Sequence, residues 1–171
     1  MPLGSNKSSS LIRLSKSTLG EAEKTAVLSV LDHEYLGMGA DVKAFEDKLV
    51  EYFGRPVVAV VNGTAALQLA IQACGIGPGD EVLVPSLTYV ASFQAVLATG
   101  AEPVACDVDS STWTLCLKDA EKRLTPKTKA MMPVHYGGGA PMLEAYYDFA
   151  KSHGLRVIED AAHSFGSSFG G

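Results

Sequence analysis

Residues 156–164 read RVIEDAAHS, and this stretch decides the fold because it places a carboxylate directly after a short apolar segment. Val157 and Ile158 follow a helical pattern, and β-branched residues in that position predict a buried strand over residues 156–159. Open α/β sheets bind their ligands at the carboxyl ends of such strands. Since an unpaired buried charge costs several kcal/mol, we expect Asp160 to face a positively charged group.

Short apolar runs alternate with helical patterns on the N-terminal side of this strand. The predicted strands are residues 57–61, 81–84, 103–107, 130–134 and 156–159, and the predicted helices are residues 17–31, 41–53, 65–74, 91–99, 118–124 and 142–152. This alternation predicts right-handed crossovers and a mainly parallel sheet with helices on both faces, which is a three-layer αβα fold. Residues 1–10 are expected to be disordered or to come from cloning, residues 11–54 to form a helical segment, and residues 55–171 to form the α/β domain.

The composition excludes several classes of function. The chain has 171 residues, of which 47% are hydrophobic and 19% charged, and its net charge of -5 argues against a nucleic-acid partner. The three cysteines have no C-x-x-C spacing and the four histidines form no i, i+4 pair, so no metal site is predicted. No apolar run is long enough for a membrane span and no secretory signal is present, so a cytoplasmic location is expected.

A turn after the first predicted strand has the features of a phosphate site. Asn62, Gly63, Thr64 and Ala65 lead directly into a helix rich in Ala and Leu. A helix N-terminus offers unpaired N–H groups and the positive end of the helix dipole, and glycine allows a phosphate to come close. The alternative is that Asn62 and Thr64 only cap the helix.

An aromatic residue follows the second strand of the domain, in the segment PSLTYV at residues 85–90. Tyr89 is placed to lie flat against a planar ligand, because stacked rings attract each other beyond their buried area. The alternative is that Tyr89 packs in the core with its hydroxyl at the surface.

Asp160 and His163 lie three residues apart just past the last strand. A carboxylate stabilises a protonated ring nitrogen, and histidine can bind a phenolic oxygen or stack on a ring. The alternatives are an ion pair for Asp160 and a structural role for His163. The three segments follow three strands at one edge of the predicted sheet, and together they suit a flat, phosphorylated pyridine.

The segments NGTAALQLA at residues 62–70, VLVPSLTYVAS at 82–92 and IEDAAHSFGS at 158–167 resemble the DegT/DnrJ/EryC1/StrS sugar aminotransferases. The stretch of residues 14–54, from LSKSTLGEAEK onward, is similar to the N-terminal helices of that family. The resemblance implies the type I fold of aspartate aminotransferase, and it makes residues 55–171 an incomplete large domain that binds pyridoxal 5′-phosphate.

The resemblance also implies a role for each candidate residue. Gly63, Thr64 and Ala65 would hold the phosphate and Tyr89 would stack on the pyridine ring. Asp160 would pair with the protonated ring nitrogen, and His163 would lie near the phenolic oxygen. The Schiff-base lysine of the family would lie beyond residue 171, so no catalytic residue is expected within the chain.

The implied reaction transfers an amino group, from glutamate as the expected donor, to a keto sugar carried by a nucleotide. Surface glycan or secondary-metabolite biosynthesis is the usual destination of such sugars, and the family implies a homodimer. Two alternatives stay open: a dehydratase of the same family, in which histidine replaces the lysine, and a noncatalytic fragment that binds the cofactor.

Overall fold

A computed structural model of the chain describes residues 17–170. Contacts between residues divide the chain into two compact units, with the boundary between Ala59 and Val60. The predicted start at residues 1–10 lies outside the described residues, and a domain boundary at residues 54–55 stays a prediction. Within residues 17–170, no helix has the length and apolar character needed to cross a membrane.

The first unit contains helices α1 (Glu21–Asp32) and α2 (Ala40–Phe53). Helix α1 begins later than predicted, because the N-cap is Gly20, whose N–H donates to the Glu23 carboxylate at 2.6 Å. Helix α2 ends at Phe53, as predicted, and Gly54 caps it: a left-handed φ of 62° lets the N–H of Gly54 reach the Val50 carbonyl at 2.8 Å. Neither helix contains a buried residue.

The second unit is an α/β layer structure. Its elements are α3 (Gly63–Ala73), β1 (Glu81–Pro85), α4 (Ala91–Leu97), β2 (Glu102–Cys106), α5 (Leu117–Lys122), β3 (Thr128–Met131), α6 (Leu143–His153) and β4 (Arg156–Val157). The four strands are all parallel, in the order β2-β1-β3-β4. The mainly parallel sheet predicted from the sequence is confirmed.

Alternation along β1 produces two cores, one on each face of the sheet. Val82 and Val84 pack in a cluster with residues of α3 and α4, whereas Leu83 packs in a second cluster with residues of α5 and α6. Successive side chains of a strand point to opposite faces, so a strand that is apolar throughout must be covered on both sides. Helices therefore cover both faces, as the αβα prediction required.

The prediction of a strand at residues 57–61 is wrong. This segment has no regular secondary structure, and none of the four strands formed by residues 17–170 pairs with it. Val58 and Val61 are 74% and 89% exposed. A run of β-branched residues favours extended backbone, but a strand also needs a neighbour to accept and donate its backbone hydrogen bonds.

The last two strands are shorter than predicted because Pro133 interrupts their pairing. Regular pairing ends at Met131 and Val157, and it resumes only as a single parallel bridge between Val134 and Asp160. Proline has no N–H to donate, so a ladder cannot continue through it unchanged. The Pro133 carbonyl instead accepts the N–H of Asp160 at 2.9 Å.

Candidate active site

A small pocket at the carboxyl edge of the sheet contains three of the six predicted site residues. Tyr89 comes from the connection between β1 and α4, and Asp160 and His163 come from the segment after β4. The pocket, here called the Asp160 pocket, has a cavity volume of about 30 Å³. Its lining residues are Thr88, Tyr89, Val134, Tyr136, Asp160, Ala162 and His163.

Asp160 is fixed through both its backbone and its side chain. Its carbonyl oxygen accepts the N–H of His135 at 3.1 Å, which completes the bridge to the strand beside it. Its Oδ2 accepts the Ser92 hydroxyl at 2.7 Å, and its Oδ1 accepts the N–H of Ala162 at 3.3 Å. Because both oxygens accept hydrogen bonds, the arrangement is that of an ionised carboxylate.

The Asp160 carboxylate is buried without a cationic partner. The residue is only 8% exposed, and within residues 17–170 no Lys, Arg or His nitrogen lies within 4.0 Å of its oxygens. Two neutral donors compensate only part of the cost of desolvating a charge. The site therefore has one buried negative charge that a cationic ligand group would balance.

The side chain of His163 has one ring nitrogen assigned by the fold. The N–H of Gly137 donates to His163 Nδ1 at 3.3 Å, so Nδ1 is an acceptor and the proton of the neutral ring lies on Nε2. The ring also meets Tyr136 edge to face, with ring centroids 5.7 Å apart. His163 therefore presents an N–H donor to a ligand.

The glycine run after β3 makes this contact possible. Gly137 and Gly138 have φ values of 67° and 88°, which residues with a Cβ rarely adopt. A Cβ on Gly138 would also lie 3.0 Å from the His163 carbonyl oxygen. These two glycines thus allow the chain to turn closely against the segment that carries His163.

Tyr89 has an exposed ring. It is 76% exposed and lines the Asp160 pocket, so the alternative in which it packs in the core is not what the described residues show. An exposed aromatic face beside a buried carboxylate is an arrangement that accepts a flat, cationic ring.

The N-terminus of α3 contains both a cap and free donors. Asn62 Oδ1 accepts the N–H of Ala65 at 2.9 Å, which is the capping alternative for Asn62. Among residues 17–170, no acceptor is bonded to the N–H groups of Gly63 and Thr64. A Cβ on Gly63 would meet no atom within 4 Å, so space is open in front of these donors.

Gly63, Thr64 and Ala65 do not line the Asp160 pocket. Their assignment to a phosphate stays a prediction, and the same holds for the ring contacts assigned to Tyr89, Asp160 and His163. What the fold provides is two unpaired N–H groups at the N-terminus of α3 and a buried anion just after strand β4.

A second pocket, of about 660 Å³, lies beside the first. His135 lines this pocket and does not line the Asp160 pocket. Its Nε2 lies 2.6 Å from Glu159 Oε2, and the Tyr147 hydroxyl donates to Glu159 Oε1 at 2.5 Å. The hydrogen bond with His135 lowers the pKa of Glu159, and the bond to Glu159 raises the pKa of Tyr147 to about 12.

Three residues at the site were not predicted from the sequence: Ser92, Thr88 and Tyr136. Ser92 was inside a predicted helix, where a small hydroxyl residue gives little signal. The available signal was the spacing of Thr88 and Ser92, because residues four apart at a helix start share one face. That spacing could not reveal Asp160 as the partner, which lies 68 residues away in the sequence.

Comparison with known proteins identifies the relatives of this chain. The sequence model of the DegT/DnrJ/EryC1/StrS aminotransferase family matches residues 17–171. A curated relative, the dTDP-4-dehydro-2,3,6-trideoxy-D-glucose 4-aminotransferase of Saccharopolyspora spinosa, is 38% identical over 164 residues. The match covers 94% of this chain and 43% of the relative.

Solved structures give the same relationship. The structure of DesV from S. venezuelae is similar with a TM-score of 0.79 and 42% identity, over 84% of this chain and 40% of DesV. A GDP-4-keto-6-deoxymannose-3-dehydratase with a trapped PLP-glutamate geminal diamine has a TM-score of 0.83 and 26% identity, over 92% of this chain and 43% of the dehydratase. The chain spans less than half the length of each of these relatives.

Proposed function

Because the chain belongs to the DegT/DnrJ/EryC1/StrS aminotransferase family, we propose that the whole protein is a pyridoxal 5′-phosphate-dependent aminotransferase acting on a nucleotide-linked keto sugar. The amino group comes from an amino acid, with glutamate as the expected donor. The Saccharopolyspora spinosa relative, named as an aminotransferase of a dTDP-linked sugar, supports this substrate class.

One observation carries the proposal: the buried carboxylate of Asp160 has no cation beside it among residues 17–170. A protonated pyridine nitrogen is a planar cation with a single N–H donor, so it fits one carboxylate at the base of a narrow pocket. The exposed ring of Tyr89 and the Nε2–H of His163 lie at the same pocket. Each of these features matches one part of a pyridoxal ring: its nitrogen, its flat face or its phenolic oxygen.

The N-terminus of α3 fits the phosphate. The N–H groups of Gly63 and Thr64 are unpaired, and the helix dipole favours an anion there. The N–H of Ala65 already donates to Asn62, so we propose that it contributes less than its two neighbours.

The residues of this chain have separate roles in the proposed reaction. Pyridoxal phosphate, when bound, supplies an electron sink that stabilises negative charge on the adjoining carbon. Asp160 strengthens the sink, because a carboxylate keeps the ring nitrogen protonated. His163 stabilises charge on the phenolic oxygen through Nε2–H, and Tyr89 covers one face of the ring and excludes water from it.

A second reaction on the same site is dehydration of the keto sugar. The similarity to a GDP-4-keto-6-deoxymannose-3-dehydratase is the observation that supports it. The two reactions use the same cofactor seat, so the seat does not distinguish them. They differ in their products, since one adds nitrogen to the sugar and the other removes water from it.

The test incubates the whole protein with pyridoxal phosphate, glutamate and a dTDP-linked 4-keto sugar. Mass spectrometry is expected to find an amino sugar together with 2-oxoglutarate in equal amounts. A dehydrated sugar without nitrogen would instead establish the dehydratase. If neither product forms, and the cofactor absorbance does not change with glutamate, the proposal is wrong.

We further propose that the protein works as a homodimer in the cytoplasm and supplies an amino sugar for a surface glycan or a secondary metabolite. The charge composition, without a basic run, supports a small-molecule substrate in preference to nucleic acid. Sedimentation of the whole protein at twice the monomer mass is the measurement for the dimer.

A further inference from the structure

We propose that Ser92, itself held by Thr88, is a positioning residue that fixes the Asp160 carboxylate for the ring nitrogen of the cofactor. This inference rests on the proposed function, because it assumes that Asp160 binds a pyridine nitrogen. It assigns a role to two hydroxyl groups on the segment that carries Tyr89.

The direction of the hydrogen bonds follows from the chemistry of the groups. Ser92 is completely buried, and its hydroxyl lies 2.7 Å from Asp160 Oδ2 and 2.6 Å from the Thr88 hydroxyl. An ionised carboxylate only accepts, so Ser92 must donate its single proton to Asp160. Thr88 must then donate to Ser92, and the protons run in one direction from Thr88 to Asp160.

This chain of hydroxyls is the stronger of the two constraints on the carboxylate. The other donor, the N–H of Ala162, lies 3.3 Å from Oδ1, which is beyond the usual length of a charge-assisted hydrogen bond. Without Ser92, the carboxylate would be held on one side only and would be free to rotate about its terminal bond. Removing the Ser92 hydroxyl therefore leaves the negative charge of Asp160 in place but loosens the orientation of its carboxylate.

The same contact joins two separate parts of the site. The N–H of Ser92 donates to the Tyr89 carbonyl at 3.1 Å, so the serine fixes the loop of the stacking ring as well as the carboxylate. Thr88 and Tyr89 both line the Asp160 pocket. Ser92 thus sets the position of the ring face relative to the ring nitrogen.

The experiment measures binding by the 171-residue chain, and it requires no turnover. Two ligands are compared: pyridoxal 5′-phosphate and its 1-deaza analogue, in which a C–H replaces the ring nitrogen. Quenching of Trp113, the only tryptophan, reports binding, because its ring lies 6.3 Å from that of Tyr136 in the pocket wall. The dissociation constant of the 1-deaza analogue divided by that of pyridoxal phosphate isolates the contribution of the ring nitrogen to binding.

We expect Ser92→Ala to reduce this ratio about 10-fold, since a hydrogen bond to a charged group is being removed. Thr88→Ala should reduce it less, and Thr88→Ser, which keeps the hydroxyl, should leave it unchanged. Thr99→Ala is the matched control, because that hydroxyl bonds to backbone groups past the other end of α4: it donates to the Val96 carbonyl and accepts the N–H of Ala101.

The outcomes separate the two proposals. If the unmodified chain binds neither ligand, or binds both equally, the proposed function loses its support from Asp160. If the chain prefers pyridoxal phosphate and Ser92→Ala keeps that preference, the role of Ser92 is wrong. Equal weakening of both ligands by Ser92→Ala would indicate a purely structural serine and also overturn it. Should Ser92→Ala fail to fold, the difference between Thr88→Ala and Thr88→Ser decides.

Discussion

Replacing Asp160 by asparagine should raise the stability of the unliganded chain and lower its affinity for pyridoxal phosphate. The substitution removes a buried charge that no cation within residues 17–170 balances, and it keeps the size of the side chain. The hydrogen bonds are also retained. The asparagine oxygen accepts the N–H of Ala162, and its NH₂ group donates to Ser92, whose hydroxyl turns to donate to Thr88.

The expected size follows from the burial of the charge. Two hydrogen bonds offset part of the cost of desolvating Asp160, and we expect the exchange of aspartate for asparagine to add about 1 kcal/mol to the free energy of unfolding. For a chain of this length, that change raises Tm by roughly 2–4 °C. In binding, a charge-assisted hydrogen bond becomes a neutral one, so the affinity for pyridoxal phosphate should fall roughly 10-fold.

Differential scanning fluorimetry of the unliganded chain measures the first effect, and titration with pyridoxal phosphate measures the second. Asp148→Asn is the matched control, because Asp148 lies exposed on α6 and should change neither quantity. Opposite signs for stability and binding are the result that the reasoning requires. A lower Tm for Asp160→Asn, or unchanged affinity, would refute the view that Asp160 is an unbalanced charge kept for a ligand.

Three further predictions concern the surroundings of the site. Glu159→Gln should return the pKa of Tyr147 from about 12 towards its ordinary value of 10.0, as read from tyrosinate absorbance. The free energy of unfolding of Glu159→Gln should also depend less on pH in the acid range. The pKa of Glu159 is lowered in the folded chain by its hydrogen bond with His135. The ionised carboxylate therefore stabilises the folded chain fully above pH 4.5, the ordinary pKa of the group, and this stabilisation is lost as the pH falls through the lowered pKa. Gly138→Ala should lower the free energy of unfolding by about 1 kcal/mol or more, because its φ is 88° and the new Cβ would press on a backbone oxygen. The Cys106 thiol should resist Ellman's reagent at pH 8, since burial raises its pKa to about 11.

Each of these predictions has a control within the chain. Glu144→Gln, a change at an exposed position of α6, should leave both the pKa of Tyr147 and the pH dependence of stability in the acid range unchanged. Gly139→Ala should be tolerated, because Gly139 has a φ of -89° and its new Cβ would make only an ordinary contact at 3.8 Å. Cys74 is exposed and should react with the reagent at once, and equal reactivity of the buried thiol would contradict the assignment.

The sheet and its helices could be predicted because the strands contain short apolar runs, such as residues 82–84 of β1, and the helices have a regular period. The failure at residues 57–61 has a different cause. Val57, Val58 and Val61 carry a local preference for extended backbone, but pairing is a property of two segments and is not encoded in one. Local sequence reports what a segment prefers, and only the fold reports whether a partner is beside it.

The candidate site divides in the same way. Asp160 was expected to be buried beside a ligand, because a carboxylate directly after an apolar strand can be placed from local sequence. The proton on His163 Nε2 follows instead from a contact with Gly137, and the orientation of the carboxylate follows from Ser92. Contacts between residues distant in sequence decide the chemistry of a group whose identity was evident.

The bridge after Pro133 has a consequence for how the chain tolerates insertions and deletions. Glu159 and Asp160 are consecutive acids, but Glu159 bonds to His135 in one pocket and Asp160 forms part of the other. Neighbouring side chains of extended backbone point to opposite sides. One residue added or lost just before Glu159 would therefore exchange the sides on which the two carboxylates lie. A change of two residues would keep each acid on its own side, so length variation at this position should occur in even steps.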